Sequence, residues 1–199
     1  MTGLLTAYGP FQGREMNQSL RVLEALEHES SFPESWKREV WPVRLPEVRQ
    51  RVQETMAHPP AVWLALGESG QELPCRLETR GHNRFDLEHD EASADGGPAS
   101  GNLLPQGPTA LRAHWPFDAL AMALQTQGHA VELSADAGSH CCNALLYLAT
   151  LEAQKQTCRP WVGFLHLTRQ PEDTEVQVQL VLDAVGWLHK NAPSFSDLA

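Results

Sequence analysis

The chain has 199 residues, a length typical of one domain. Lys and Arg number 15 and Asp and Glu number 25, which gives a formal net charge of −10. Nucleic acid and anionic membranes are therefore disfavoured as partners, because both bind clustered cations.

Apolar runs alternate with amphipathic stretches along the chain, which is typical of strands that alternate with helices. We expect Ser19 to cap the first helix and Pro42 to place the second strand at a sheet edge. In chain order, the predicted elements are a strand over 4–8, a helix over 20–26, a strand over 38–43, a helix over 46–56, a strand over 61–66, a helix over 116–127, a strand over 129–133, a helix over 142–154, a strand over 161–167 and a helix over 175–190. This order predicts an α/β fold with three layers, α/β/α, around a mostly parallel twisted central sheet in a single domain over residues 1–199.

One long segment, about residues 87–107, lacks any periodicity and is rich in acidic residues, glycine and proline. Loops of this length without secondary structure are uncommon unless they serve a function. We therefore expect a long mobile loop that covers a site.

The expected location is the reducing cytoplasm. The chain has four cysteines, too few for a disulfide-rich secreted scaffold. Its first residues show no basic stretch followed by a long apolar run, so no secretory signal is expected. Its longest apolar run, 61–66, is far shorter than the roughly 20 residues that span a bilayer.

Cys142 is the candidate nucleophile. It follows a predicted strand and a turn at Gly138, and it opens the next predicted helix. A helix N-terminus favours the thiolate form, and its free N–H groups are suited to an oxyanion hole. The alternative is that Cys142 and its neighbour Cys141 are ordinary small buried residues.

Two further residues are candidates for acid–base chemistry. His166 lies next to the end of the predicted strand 161–167, where an imidazole could take a proton from a thiol and give it to a leaving amine. Glu78 could orient that imidazole and stabilise its charged form. The alternatives are a core histidine and a solvated carboxylate paired with Arg76 or Arg80, and nothing local selects Glu78 over Glu72.

A metal site is disfavoured. The chain has cysteines and histidines near one another, but no Cys-x-x-Cys pair and no His-x-x-x-His pair. Adjacent cysteines do not easily bind one ion together. We therefore do not expect a metal, and a metal-bound or redox thiol protein that uses Cys141 and Cys142 remains the alternative.

The order of four segments resembles the pyroglutamyl peptidase I family, also called pyrrolidone carboxyl peptidase. Residues 6–13, Thr-Ala-Tyr-Gly-Pro-Phe-Gln-Gly, are similar to the family's Thr-Gly-Phe-x-Pro-Phe-Gly-Gly. Residues 78–83, Glu-Thr-Arg-Gly-His-Asn, resemble Glu-Arg-x-Ala-x-Asn. Residues 134–143 end in Cys-Cys-Asn and resemble Ser-x-x-Ala-Gly-x-x-x-Cys-Asn, and residues 163–166 match Gly-Phe-x-His. The resemblance covers about residues 4–190.

The resemblance implies a cysteine exopeptidase that removes N-terminal pyroglutamate from peptides through an acyl-enzyme. It implies that Cys142 is the nucleophile, because Asn143 follows it, that His166 is base and acid, and that Glu78 orients His166. No cofactor is implied, and the expected partners are pyroglutamylated peptides. Since the family commonly forms dimers or tetramers, we also expect a homo-oligomer.

The resemblance also assigns the substrate-binding residues. An uncharged lactam ring suits an apolar, partly aromatic slot with a few hydrogen bonds. The residues at matching positions are Tyr8, Phe11 and Asn17, and we expect backbone groups around Glu68, Ser69 and Gly70 to supply further contacts. Without the family, Tyr8 and Phe11 would be interpreted as packing at a strand end.

The departures from the family pattern include two side chains at the expected site. Tyr8 replaces a phenylalanine and adds a hydroxyl. Glu88 stands where the family has an arginine near the oxyanion. The second departure motivates an alternative function, a protein that binds pyroglutamyl ends with little turnover.

Overall fold

The computed structural model describes residues 1–11, 13–70, 74–87 and 98–192. The strands of these ranges are β1 (Gly3–Tyr8), β2 (Trp36–Trp41), β3 (Val62–Ser69), β4 (Cys75–Glu78), β5 (Arg80–His82), β6 (Phe85–Asp86), β7 (Ser100–Gly101), β8 (Ala110–Arg112), β9 (Val131–Ser134) and β10 (Trp161–Thr168). The α-helices are α1 (Gln18–Ala25), α2 (Leu45–Ala57), α3 (Phe117–Thr126), α4 (Cys141–Ala153) and α5 (Thr174–Asn191).

The central sheet is mostly parallel, as predicted. In the described part of the chain it has six strands in the order β2-β1-β3-β10-β4-β9. The first four strands of this order are parallel to one another, whereas β4 is antiparallel to β10 and β9 follows the direction of β4. Strand β2 lies at the edge, as Pro42 immediately after it predicted.

Helices cover both faces of the sheet, which confirms the predicted three layers. Helix α2 packs against α4, and α5 packs against α1 and α3. Two adjacent residues of β10 show that the helix pair α2 and α4 lies on the opposite face of the sheet from α1, α3 and α5. A Cβ on Gly163 would overlap the ring of Trp115, just before α3, whereas the ring of Phe164 lies on the side of Cys142 in α4.

The core sits around β3, where residues 62–66 are fully buried. A strand covered on both faces has no polar side, so its sequence is a continuous apolar run. The predicted run 61–66 is therefore correct, and the strand continues through Ser69 because β10 pairs with it over that length.

The prediction that Ser19 caps α1 is wrong. Asn17 is the N-cap residue, and its side chain accepts a hydrogen bond from the Ser19 amide at 3.0 Å. Ser19 itself lies inside the helix, where its hydroxyl donates to Asn17 at 2.8 Å. Both residue types cap well, so the local sequence did not separate them.

Part of the predicted loop 87–107 lies outside the described residues, namely residues 88–97, which include Glu88. In the described part, β7 pairs with β6. The Asn83 side chain donates to the carbonyls of Leu104 and Gly107 at 2.8 and 3.1 Å. These contacts tie the end of the loop to the domain, and its mobility stays a prediction. Within the described ranges, no helix has both the length and the apolar character needed to cross a bilayer.

Candidate active site

Three strands bring the site together on one face of the sheet. His166 of β10 is the strand partner of Gly67 in β3. On the other side of β10, Glu78 of β4 lies opposite Phe164, two residues before His166. Because alternate residues of a strand share a face, Gly67, Glu78 and His166 all point to the side that α4 covers.

Glu78 and His166 form a buried pair. The imidazole Nδ1 and the carboxylate Oε1 are 2.8 Å apart, and the two residues are 8% and 0% exposed. Burial lowers the pKa of His166, but the charge and hydrogen bond of Cys142 and those of Glu78 outweigh it and raise that pKa to about 9. The imidazole is therefore held in its charged form at neutral pH.

Cys142 lies in the first turn of α4, as the sequence predicted. The helix begins at Cys141 after the N-cap residue His140, and the preceding turn contains Gly138 with φ +84°. Cys142 is half-buried and close enough to His166 to raise the pKa of the imidazole through charge and hydrogen bonding, whereas Cys141 is 1% exposed. Since Nδ1 of His166 is engaged by Glu78, its Nε2 faces the thiol.

Gly67 makes room for the sulfur, a role that the sequence analysis did not identify. A Cβ on Gly67 would stand 2.7 Å from the Phe164 ring and 3.0 Å from the Sγ of Cys142. Any larger residue would push the sulfur or the ring away from the sheet. The signal in the sequence was only a glycine that ends an apolar run.

Asn143 fixes the helix that carries Cys142, which the sequence analysis also missed. Its amide group accepts from the His82 N–H at 2.7 Å and donates to the carbonyls of His82 and Arg84 at 2.9 and 2.8 Å. All of these contacts are between the start of α4 and the chain around β5. The position of Cys142 therefore depends on the residue that follows it.

Two aromatic residues, one at the end of β1 and one in the loop after it, lie next to the start of α4. The Tyr8 hydroxyl donates to the Cys141 carbonyl at 2.8 Å. Tyr8 is 3% exposed, and burial together with the nearby Cys142 and Cys141 raises its pKa well above 10. Phe11 is half-buried, and its ring centroid is 6.4 Å from that of His140. Phe11 is thus at the surface of the site and Tyr8 is beneath it.

Other predicted binding residues are engaged within the protein. Asn17 is 2% exposed, and its amide donates to the Gly9 carbonyl at 3.2 Å in addition to capping α1. The Glu68 carboxylate accepts from the Gln18 amide at 2.8 Å and forms ion pairs with Arg14 and Arg169. Ser69 and Gly70 lie at the carboxyl end of β3, beyond Gly67.

The arrangement can serve as a nucleophile with its base and an orienting acid. A thiolate and an imidazolium in contact can attack an acyl carbon and protonate its leaving group, while a buried carboxylate holds the imidazole in place. Within the described ranges, no group of three or more His, Cys, Asp or Glu residues is placed to hold a metal ion.

Comparison with known families gives one match that covers most of the chain. The profile of the family described as pyroglutamyl peptidase matches residues 1–184. A pyrrolidone-carboxylate peptidase of Vibrio vulnificus (strain CMCP6) is 27% identical over 181 residues, which span 88% of this chain and 82% of that protein. A pyrrolidone-carboxylate peptidase of Bacillus cereus (strain Q1) is 26% identical over 176 residues, 86% of this chain and 80% of that one.

Solved structures share the fold. A mutant pyrrolidone carboxyl peptidase from Pyrococcus furiosus superposes with a TM-score of 0.82 at 19% identity, over 97% of this chain and 100% of that one. A pyroglutamyl peptidase I from Bacillus amyloliquefaciens superposes with a TM-score of 0.80 at 21% identity, over 93% of this chain and 95% of that one.

Proposed function

The chain belongs to the pyroglutamyl peptidase family, and we propose that it is a cysteine exopeptidase that removes N-terminal pyroglutamate from peptides. The observation that carries this proposal is the contact of His166 with both Cys142 and Glu78. Together these residues supply a nucleophile, a proton carrier and a buried negative charge, which hydrolysis through an acyl-enzyme requires.

In the first half of the proposed reaction, the Cys142 thiolate attacks the carbonyl carbon that joins pyroglutamate to the next residue. The carbon–nitrogen bond then breaks, and the His166 imidazolium gives its proton to the departing amine. The products are a free peptide and a thioester between Cys142 and the pyroglutamyl group. Glu78 stabilises the imidazolium before this transfer and holds the ring in place throughout.

In the second half, the neutral His166 takes a proton from water as the oxygen attacks the thioester carbon. Pyroglutamate leaves, and the thiolate–imidazolium pair is restored. Neither half requires a redox partner, because every bond change is a proton or acyl transfer.

The negative oxygen that forms in each half needs hydrogen-bond donors. The first N–H groups of a helix have no partner within the helix, and they point along its axis from the N-terminal end. Cys142 lies in that first turn of α4. We therefore assign the oxyanion site to the backbone at the start of α4, where the helix dipole also favours negative charge.

For the lactam ring we propose a slot at the first loop. Phe11 offers a half-buried apolar surface beside His140. Tyr8 and Asn17 are buried near this loop and donate hydrogen bonds to the carbonyls of Cys141 and Gly9, and the backbone of residues 68–70 supplies polar groups at the end of β3. A flat, uncharged ring suits such a slot, because it needs apolar contact and few hydrogen bonds.

The test is hydrolysis of a pyroglutamyl-amide substrate under reducing conditions. We expect turnover by the wild type, loss of at least about a thousandfold in kcat for Cys142→Ala, and retained activity for the matched control Cys141→Ala. Full activity of Cys142→Ala, or its loss only in Cys141→Ala, would show that the nucleophile is assigned wrongly. Tight binding of pyroglutamate without turnover would instead favour the binding protein.

A further inference from the structure

Arg76 is a cation beside His166 that the proposed mechanism does not use. The two residues are directly opposite each other on the antiparallel strands β4 and β10. Opposite residues share a face of the sheet, with Cβ atoms about 5 Å apart. Glu78, two residues beyond Arg76 on the same strand, contacts His166 on that face. The side chain of Arg76 therefore leaves the backbone on the face of the sheet that carries the site.

The guanidinium group of Arg76 extends over the carboxyl end of the sheet. Its Nη2 donates to the Ser69 hydroxyl at 3.0 Å. Ser69 is on β3, and β10 lies between β3 and β4. The side chain therefore crosses above β10 near its carboxyl end, which is the end where His166 lies.

Arg76 differs from the two other arginines at this end of the sheet. Arg14 and Arg169 both form ion pairs with the buried Glu68. Arg76 is half-buried, and no carboxylate in the described ranges is within ion-pair distance of it. A guanidinium group carries five N–H donors in a planar fork that matches a carboxylate, and among the described residues only Ser69 accepts a hydrogen bond from it.

The place of Arg76 indicates which part of a substrate it meets. His166 protonates the departing amine, so the residue that follows pyroglutamate lies on the His166 side of the scissile bond. Arg76 is the strand neighbour of His166 on the side away from Gly67 and Cys142. The guanidinium itself extends back over β10 to Ser69. Because the lactam ring carries no charge, a carboxylate that meets this guanidinium belongs to the leaving residue.

We propose that Arg76 is a specificity-determining residue that binds a carboxylate on the residue after pyroglutamate. This carboxylate is the side chain of Asp or Glu, or the terminal carboxylate of a pyroglutamyl dipeptide. The inference rests on the proposed function, and it adds a substrate class to it. The chain as a whole has a net charge of −10 and repels anionic peptides, so a local cation is what allows them to bind.

The test compares two substrates that have the same size and differ in charge, pyroglutamyl-Glu-amide and pyroglutamyl-Gln-amide. For the wild type we expect kcat/KM to be about tenfold higher for the Glu substrate, which is the range of a hydrogen bond to a charged group. We expect this ratio to fall to near one in Arg76→Gln and to be partly kept in Arg76→Lys. High salt should reduce the wild-type ratio, because screening weakens ion pairs at a surface.

The control variant is Arg159→Gln. Arg159 is exposed two residues before β10, roughly 20 Å from His166 along that strand, and its loss should leave the wild-type ratio unchanged. Equal rates of the wild type on both substrates, or an unchanged ratio in Arg76→Gln, would overturn the inference while the proposed function stands. If Arg76→Gln lowers kcat/KM equally for both substrates, the ratio is unchanged. This outcome would also overturn the inference, and it would show that Arg76 has a structural role. No turnover of either substrate by the wild type would overturn both proposals.

Pyroglutamyl-Ala and pyroglutamyl-Ala-amide separate the two sources of the carboxylate. A preference of the wild type for the free acid that disappears in Arg76→Gln supports binding of a terminal carboxylate. A preference for the Glu side chain alone restricts the inference to acidic residues. Absence of both preferences would contradict it.

Discussion

The Sγ of Cys142 lies 3.0 Å from the point that a Cβ on Gly67 would occupy, so the sulfur rests directly on the backbone of β3. This contact places the start of α4 close to the sheet and sets the sulfur beside His166, the strand partner of Gly67. The absence of a side chain at one position of β3 is therefore part of the geometry of the proposed active site.

We expect Gly67→Ala to impair both activity and stability. The new methyl group would be 2.7 Å from the buried Phe164 ring as well as close to the sulfur. Overpacking of this kind costs about 1–3 kcal/mol of unfolding free energy. The measurements are chemical denaturation and kcat/KM on a pyroglutamyl-amide. The matched control is Gly186→Ala in α5, where nothing lies within 4 Å of the new Cβ, and a small gain in stability is expected there.

We expect Glu78→Gln to reduce kcat by roughly a thousandfold or more, because the variant keeps the size of the side chain but removes the charge that stabilises the imidazolium. The charge and hydrogen bond of Glu78 also contribute to the raised pKa of His166. The alkaline limit of activity should therefore move to lower pH in the variant. A pH profile of kcat/KM that has the wild-type limits would contradict this role.

The activity of the wild type should decline on the alkaline side near pH 9. The pKa of His166 is raised to about 9, and above that pH the imidazolium that protonates the leaving amine is lost. A pH profile of kcat/KM on a pyroglutamyl-amide tests this expectation, and constant activity through pH 10 would be inconsistent with it.

The same shift predicts how stability depends on pH. The folded-state pKa of His166 lies above its ordinary value of 6.5, so its contribution to stability is complete below about pH 6.5 and is lost as the pH rises through about 9. In Cys142→Ala the thiolate is absent and the pKa of His166 should fall. NMR titration of the imidazole in both proteins measures the difference, and identical titration curves would exclude the thiolate as a cause.

We expect Tyr8→Phe to lower stability and to loosen the start of α4. The variant removes the hydroxyl that donates to the Cys141 carbonyl at 2.8 Å, a contribution of about 0.5–1.5 kcal/mol. We also expect a changed rate of Cys142 alkylation by iodoacetamide, since Cys141 precedes it in the same turn. The control is Tyr147→Phe at the other tyrosine of the chain, whose hydroxyl donates to Pro108 at 2.9 Å. Equal alkylation rates in wild type and Tyr8→Phe would show that Tyr8 contributes to stability but does not affect the reactivity of Cys142.

Much of the fold was predictable from the sequence, because a buried face requires apolar residues at a regular spacing along the chain. The continuous apolar run in β3 follows from cover on both faces, and the helix that begins at Cys141 follows a turn at Gly138. His166 at the end of an apolar strand was found in the same way. These features depend on neighbouring residues, and the order of motifs was enough to identify the family.

Only the tertiary structure decided which distant residues meet. Nothing near Glu78 distinguishes it from Glu72, and its choice depends on β4 running antiparallel beside β10, which brings Glu78 to a histidine 88 residues away. The Tyr8 hydroxyl finds its partner 133 residues along the chain, and Arg76 faces His166 through the same antiparallel pairing. Helix capping and the spacing of apolar residues involve positions only a few residues apart, so the local sequence indicates them. Strand order and close approach arise from the packing of whole segments, which no local pattern records.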